Sequence, residues 1–403
     1  MRDWTPLGRY RNVPDRNPTR IEVTIPPFIS ELSYDPAGTV ARAHEGAVIA
    51  LVRLEDGFGQ HLAPLAEFLL RSESLASSRI EHVDAGWRAF GNALVGGNAG
   101  DEARAQLAAV RALIALVETA GTGPITLAAL LEAHRLLMEP DSHAGHPGAL
   151  RTAQTWIGGR GTSPIDADYV APPPELLHDL VDDLLVFANR SDLPILAQAA
   201  IVHAQFVSIH PFADGNGRIG RALFNAILRR RGLTRRITVP LASAIRADTD
   251  HYVAQLESYR RGDADAVVGY LCRAALNASE AAEQSAARLT ALPQRWRDIA
   301  RPGADSADET LIGNLLDTPI FNAETAQQIT GTAGATTYRA LDRLTKAGIL
   351  HVLSTGATDR VWAARDVLNE LDALPLITGV EVSPIAPWQL ESIMLLSSCR
   401  FRL

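Results

Sequence analysis

Residues 208–232 read SIHPFADGNGRIGRALFNAILRRRG, and their types and spacing suit phosphate chemistry. DGNG is a flexible turn feeding an apolar-periodic helix, so the first backbone N–H groups and the helix dipole converge where an anion is stabilised. Arg218 and Arg221 lie on adjoining turns at the helix start, and both can reach a bound polyphosphate with forked donors. Asp214 beside them would repel phosphate unless a divalent cation bridges the two, and Mg²⁺ binds in that way, through one carboxylate plus phosphates. The expected ligand is a Mg²⁺-nucleotide. His210 precedes a proline that restricts its backbone. With an ordinary pKa of about 6.5 it can accept a proton at neutral pH without tuning, as a general base.

The string HPFADGNGRIGR fills all nine specified positions of the pattern HPFx(D/E)GNGRxxR, and the sequence strongly resembles a Fic protein. The resemblance covers roughly residues 60–290. It implies AMP transfer from ATP to a Tyr, Ser or Thr hydroxyl of a target protein, with His210 deprotonating that hydroxyl and Asp214 holding Mg²⁺ on the α and β phosphates. Gly215, Asn216 and Gly217 would form the anion hole, Arg218 would support the β phosphate, and Arg221 the γ phosphate. WIGG at Trp156–Gly159 looks like the family's target-docking flap, and YVAPPPE at Tyr169–Glu175 like the extended segment after it. Gly158, Gly159 and Ile165 would hold the target by strand addition.

SLASSRIEHV (Ser74–Val83) resembles the family's inhibitory helix, written (S/T)xxxE(G/N), with His82 where the pattern has Gly or Asn. Ser77 and Glu81 share a helical face, and Glu81 is expected to pair with Arg221 and take the γ phosphate's partner, which implies autoinhibition. Relatives with kinase, phosphocholine-transfer or de-AMPylation chemistry leave those activities as alternatives. A nucleotide-sensing DNA-binding regulator is another.

These residues need helices to position them. Apolar spacing predicts helices within Ala43–Leu94 and over Glu102–Glu118, Ile125–Met138, Leu176–Ala188, Pro194–Ser208, Ile219–Arg231, Asp248–Gly262 and Ala266–Thr290. Residues 151–175 suit a short β-hairpin with an extended exit, and TIPPFI (Thr24–Ile29) suits an extended anchor. Leu193–Ala213 carries no formal charge, but its Gln198, His203, Gln205, Ser208, His210 and Pro211 read as a buried helix rather than a membrane span. Beyond a Pro- and charge-rich boundary, three short helices and strands around the STGATD turn predict a winged helix-turn-helix. The expected fold is mainly α: an N-terminal helical region (1–95), a catalytic core (96–292), a linker (293–309), a winged domain (310–373) and a tail without assigned role (374–403).

Composition sets limits. The 403 residues allow two or three domains, and 38 basic against 46 acidic side chains, a formal charge of −8, provide no global funnel toward nucleic acid or an anionic membrane. Between Asp305 and Ala373 ten acidic residues face five basic ones, so the winged domain reads as readily as a docking or dimerisation module, including a homodimer, as a DNA reader. The single lysine, Lys346, fits neither a Walker A loop nor a Schiff-base site. Cys272 and Cys399 read as free thiols in a reducing compartment, and the first 30 residues carry no apolar run, which predicts a cytoplasmic protein without membrane attachment.

Overall fold

In the computed structural model, which describes residues 2–3, 20–57, 62–141, 146–160, 163–354 and 360–377, the Pro-rich start holds a two-residue pairing of β1 (Arg2–Asp3) with β2 (Arg20–Ile21). TIPPFI is extended and anchored: Thr24 N–H donates to the Val170 carbonyl at 3.0 Å, and Ile29 is buried. Sequence rich in Ala, Leu and Glu then forms α1 (Gly38–Gly57), α2 (Leu62–Ile80), α3 (Gly86–Leu94), α4 (Asp101–Thr122) and α5 (Leu127–Met138). Further along, a stretch with Trp, Gly and Ile forms an antiparallel hairpin of β3 (Trp156–Arg160) and β4 (Ser163–Val170). Helices return as α6 (Leu177–Ala188), α7 (Ile195–Ile209), α8 (Asn216–Arg230), α9 (Leu241–Ala247), α10 (Thr249–Arg260) and α11 (Ala264–Ala300).

The uncharged run forms the axis of the first core. Every residue from Leu196 to Ile209 of α7 is buried, as a helix apolar all round must be. Polar members find partners inside: His203 Nε2 meets the Tyr252 hydroxyl at 2.8 Å, and Gln205 Nε2 donates to the Pro27 carbonyl at 2.7 Å. α6, α8 and α11 pack around α7, and α4 covers α8 from outside. Among the described residues α4 is the one helix long and apolar enough to cross a membrane. Its Ala109, Ala112, Leu113 and Leu116 are buried in this core instead.

A second core begins where the first ends. α11 was expected to stop at Thr290 but continues through Pro293 to Ala300, so the first part of the stretch read as a linker is helix. The extension results from what it buries: Leu292 and Trp296 lie on its inner face, and Trp296 is fully enclosed with its Nε1–H donating to Asp366 Oδ2 at 2.9 Å. Packed on this end are α12 (Ala307–Asn314), β5 (Ile320–Asn322), α13 (Ala323–Thr330), α14 (Gly334–Lys346), β6 (Leu350–Ser354), β7 (Val361–Ala364) and α15 (Arg365–Ile377). The strands form an antiparallel sheet in the order β5-β7-β6. Leu65, Phe68 and Leu69 of α2 and Phe90 of α3 also enter this core, so α2 runs from the second core to the first. Most of the STGATD turn, the tail beyond Ile377 and Cys399 lie outside the described residues. Cys272 is a free thiol that burial pushes up to about 12.

Trp296→Ala removes the largest enclosed side chain of the second core and leaves Asp366 without its indole donor. The expected loss is about 3–5 kcal/mol of unfolding free energy. Denaturant unfolding measures it, and a loss below about 1 kcal/mol contradicts the role given to Trp296.

Candidate active site

The turn before α8 is built to hold its shape. Gly215 sits at φ 77°, where a side chain would be strained, and a Cβ there would meet Leu137 Cδ2 at 2.8 Å. Asn216 closes the turn with its side chain: Oδ1 accepts from Phe212 N–H and Nδ2 donates to the Phe212 carbonyl, both at 2.9 Å. The Asn216 amide is thus a brace, and what it can offer an anion is its backbone N–H. No side chain caps α8, so its first-turn N–H groups, from Asn216, Gly217 and Arg218, have no intrahelical acceptor. α8 starts three residues earlier than its apolar spacing suggests, which places these residues in the helix's first turn.

His210 ends α7 with its backbone at φ 51° and ψ 58°, the left-handed region, although the following proline favours an extended conformation. The restriction read from the sequence takes an unexpected form. A side chain elsewhere holds it: the Arg151 guanidinium donates through Nε to the His210 carbonyl at 2.8 Å. The His210 ring places Nδ1 3.3 Å from the Val207 carbonyl. That partner assigns the proton to Nδ1 and leaves the Nε2 lone pair free. Burial lowers the imidazole pKa to about 4, and the Arg151 and Arg260 charges press the same way against the Val207 and Glu81 contributions. The direction of the shift favours the neutral ring, the form that accepts a proton.

Arg221 is 1% exposed, and its guanidinium is claimed from α2 and the turn beyond it. Nε donates to Ser77 Oγ at 2.8 Å, while Nη2 donates to the Ser77 carbonyl and to Glu81 Oε1, both at 2.9 Å. Both residues singled out in the sequence therefore meet the arginine, although α2 ends at Ile80 and Glu81 lies in the following turn. Burial pushes the Glu81 carboxyl up, but Arg221, with smaller help from Arg218 and His210, outweighs it and holds the carboxyl below its usual range. The carboxylate also lies against the start of α8: a Cβ on Gly217 would fall 2.1 Å from Glu81 Oε1. Arg218 Nη2 lies 3.2 Å from Asp214 Oδ2, so the two residues expected on phosphate and metal are paired with each other.

The expected hairpin is present and irregular. Gly158 and Gly159 have φ 73° and 63°, and the β3–β4 register shifts at Gly158. A Cβ on Gly159 would meet the Ala167 nitrogen and the Ile165 carbonyl at 2.7 Å, so glycine there permits the close crossing. Ile165 is half-buried beside Asp166, itself at φ 61°.

Several residues with a hand in this site were not singled out from the sequence. His134 stacks on Phe212 with ring centroids 3.9 Å apart, supporting the turn from α5. Gln106 of α4 donates to the Val83 carbonyl at 3.2 Å, and Asp372 of α15 accepts from Trp87 Nε1 at 2.7 Å and from Arg79 at 3.4 Å, so the Glu81 turn is clasped on both sides. Arg151 is the fourth. Each is one side chain reaching across a long stretch of chain, a relation no local pattern records.

A helix start with free amides, two arginines and a histidine beside it is an arrangement that could receive phosphate. Residues 124–228 match the profile of the Fic/DOC family, and the chain carries a Fic domain. It is similar to the protein adenylyltransferase fic-1 of Caenorhabditis elegans, 32% identical over 151 residues, 37% of this chain and 27% of that protein. Protein adenylyltransferase Fic of Nematostella vectensis is 35% identical over 111 residues, 27% of this chain and 24% of that one. The matched region thus spans about a quarter of these curated relatives. A solved Fic family protein from Desulfovibrio desulfuricans G20 shares the fold, with a TM-score of 0.55 and 21% identity over 82% of this chain and 97% of that chain.

Gly217→Ala separates the pair's geometry from helix propensity. An alanine in a helix normally gains about 0.5–1 kcal/mol over glycine, but here its methyl displaces the Glu81 carboxylate. The expected outcome is destabilisation in the otherwise unaltered protein and none in a Glu81→Gly background, read by thermal unfolding. Equal effects in both backgrounds would remove the contact.

Proposed function

We propose that the protein is a protein adenylyltransferase that moves AMP from ATP to a hydroxyl side chain of a target protein and is restrained by Glu81. The single observation that carries the reading is the Glu81 carboxylate 2.9 Å from the buried Arg221, at the head of the helix whose free amides would receive phosphate. Two anions cannot share that guanidinium fully. With Glu81 in place, ATP binds with its γ phosphate displaced and its α phosphate out of line; without it, Arg221 takes the γ phosphate and Arg218 the β phosphate.

In the transfer step the target oxygen attacks the α phosphorus as His210 Nε2 takes the hydroxyl proton. The bond from the α phosphorus to the α,β-bridging oxygen breaks, and pyrophosphate leaves. The first-turn N–H groups of α8 bear on the charge that develops on the α phosphate. Asp214 suits Mg²⁺: its side chain is 65% exposed, and its charged partner among the described residues, Arg218, would turn to phosphate when nucleotide binds. Among the described residues no group of three or more His, Cys, Asp or Glu gathers to hold an ion, so phosphate oxygens and water must complete the coordination, which is the habit of Mg²⁺. The ion would neutralise the polyphosphate.

Of the cations on α14, Arg343 is paired with Asp308 and Lys346 with Asp342, which does not favour the DNA-binding alternative. The hairpin remains the proposed target dock, by strand addition along its open edge.

Labelled ATP tests the reading. With α-labelled ATP and Mg²⁺, label should pass to protein, and Glu81→Gly should raise the rate by more than roughly tenfold, as a coupling of about 1–3 kcal/mol allows. His210→Ala in that background should lose at least about 100-fold while still binding ATP, and EDTA should stop transfer. Label passing from γ-labelled ATP alone would make the protein a kinase and sink the assignment.

The lowered His210 pKa gives a second expectation. A base that is neutral above about 4 keeps working as pH falls through 6.5, and removing Glu81, whose charge raises this pKa, moves the acid limb lower still. The Glu81→Gly enzyme should hold its rate from pH 7 to about 5.5. An acid limb centred at about 6.5 would contradict the tuning.

A further inference from the structure

Arg151 is 6% exposed, and it stands between two parts of the site that share no strand or helix. Its Nε donates to the His210 carbonyl at 2.8 Å, its Nη1 to the Ala153 carbonyl at 2.8 Å, and its Nη2 to the Pro172 carbonyl at 2.6 Å. Its backbone N–H donates to the Pro211 carbonyl at 3.0 Å. Ala153 lies just before β3 and Pro172 just after β4, so one planar fork ties both roots of the hairpin to the peptide that carries the base. A guanidinium holds such an arrangement because its donors are fixed in one plane. It also explains how His210 keeps a left-handed backbone ahead of a proline. The hairpin has a second tie to the end of α7, the Tyr169 hydroxyl donating to the Ser208 carbonyl at 2.5 Å, but that bond does not fix the His210 peptide.

We propose that Arg151 is a positioning residue that sets the distance and register between the proton-accepting ring of His210 and the hairpin that docks the target hydroxyl. The inference rests on the proposed transferase reading and deepens it. Nucleotide binding does not depend on this fork: the α8 turn is held by Asn216 on Phe212, and Arg221 by Ser77. Loss of Arg151 should therefore spoil alignment of target and base while leaving the phosphate site formed. A misplacement of about 1 Å costs on the order of 100-fold in rate.

The test is made in the Glu81→Gly background, where transfer is unrestrained, with Arg151→Gln and Arg151→Lys. Glutamine cannot span three carbonyls, and lysine keeps the charge with fewer fixed donors. The expected result is a fall in kcat for AMP transfer of more than roughly tenfold for Arg151→Gln, partial recovery in Arg151→Lys, and a KM for ATP within about twofold of the parent. Unchanged kcat in Arg151→Gln, or equal damage to kcat and ATP affinity in both variants, would overturn the inference. So would unfolding of both variants at a temperature where the parent is folded, which would make Arg151 a fold residue only. A Glu81→Gly parent that transfers no AMP would overturn the proposed function and this inference with it, whereas an active parent beside unaffected Arg151 variants sinks the inference alone.

Discussion

A guanidinium shut away from water needs a charge or a set of acceptors, and Arg221, at 1% exposure, sets that demand at the centre of this molecule. Leaving such a group unpaired costs about 3–5 kcal/mol. Ser77 and Glu81 answer it, but only if the end of α2 is held against α8. That hold begins far away. Leu65, Phe68 and Leu69 root α2 in the second core, Ser72 Oγ meets Ser243 Oγ at 3.1 Å, and Glu73 Oε2 accepts from Ala242 N–H at 2.6 Å. Burial raises the Glu73 carboxyl to about 8, against the Ala242 amide and the Arg221 charge. The C-terminal helices, which take no part in the phosphate site, therefore help decide where the carboxylate of Glu81 comes to rest.

The second constraint is the backbone at His210. A helix that ends in a left-handed histidine ahead of proline turns the chain sharply toward α8, and the same turn aims the imidazole into the site with its Nδ1 against Val207. Its surroundings lower the ring's pKa toward the neutral form. Position and protonation thus have one origin, the abrupt end of a fully buried helix.

The sequence made the motif legible because its residues are contiguous and each has a chemical reason to be there. The Glu81–Arg221 pair was legible through the resemblance of Ser74–Val83 to the family's inhibitory helix, with Ser77 and Glu81 at a helical spacing of four. The hairpin came from its Gly, Trp and β-branched residues. Other parts were not legible for specific reasons. Arg151 lies in irregular chain, and its three carbonyl partners belong to segments whose meeting only the fold creates. Pro293 reads as a helix stop by propensity, but burial of Leu292 and Trp296 overrides it, and tertiary packing of this kind leaves no local trace. The pKa of His210 depends on enclosure, and the bracing of the turn by the Asn216 side chain on Phe212 shows only in the fold.

Two carboxylate–arginine pairs meet at the head of α8, and they differ in how firmly they are closed. Asp214 is 65% exposed opposite an Arg218 at 8%, whereas Glu81 is 36% exposed opposite an Arg221 at 2%. The more solvated pair is worth little, toward the range of about 0–1 kcal/mol for surface ion pairs. Incoming phosphates with a cation can open it at small cost. The other pair resists, because separating it strands a deeply buried guanidinium until a phosphate arrives and disturbs the Ser77 contacts as well. On the proposed reading, a nucleotide approaching α8 would meet one arginine that yields and one that does not. The burial that makes Arg221 a strong ligand for Glu81 would, on the same reading, also make it a strong phosphate ligand, so that affinity for the γ phosphate and resistance to it would be set by a single desolvated side chain.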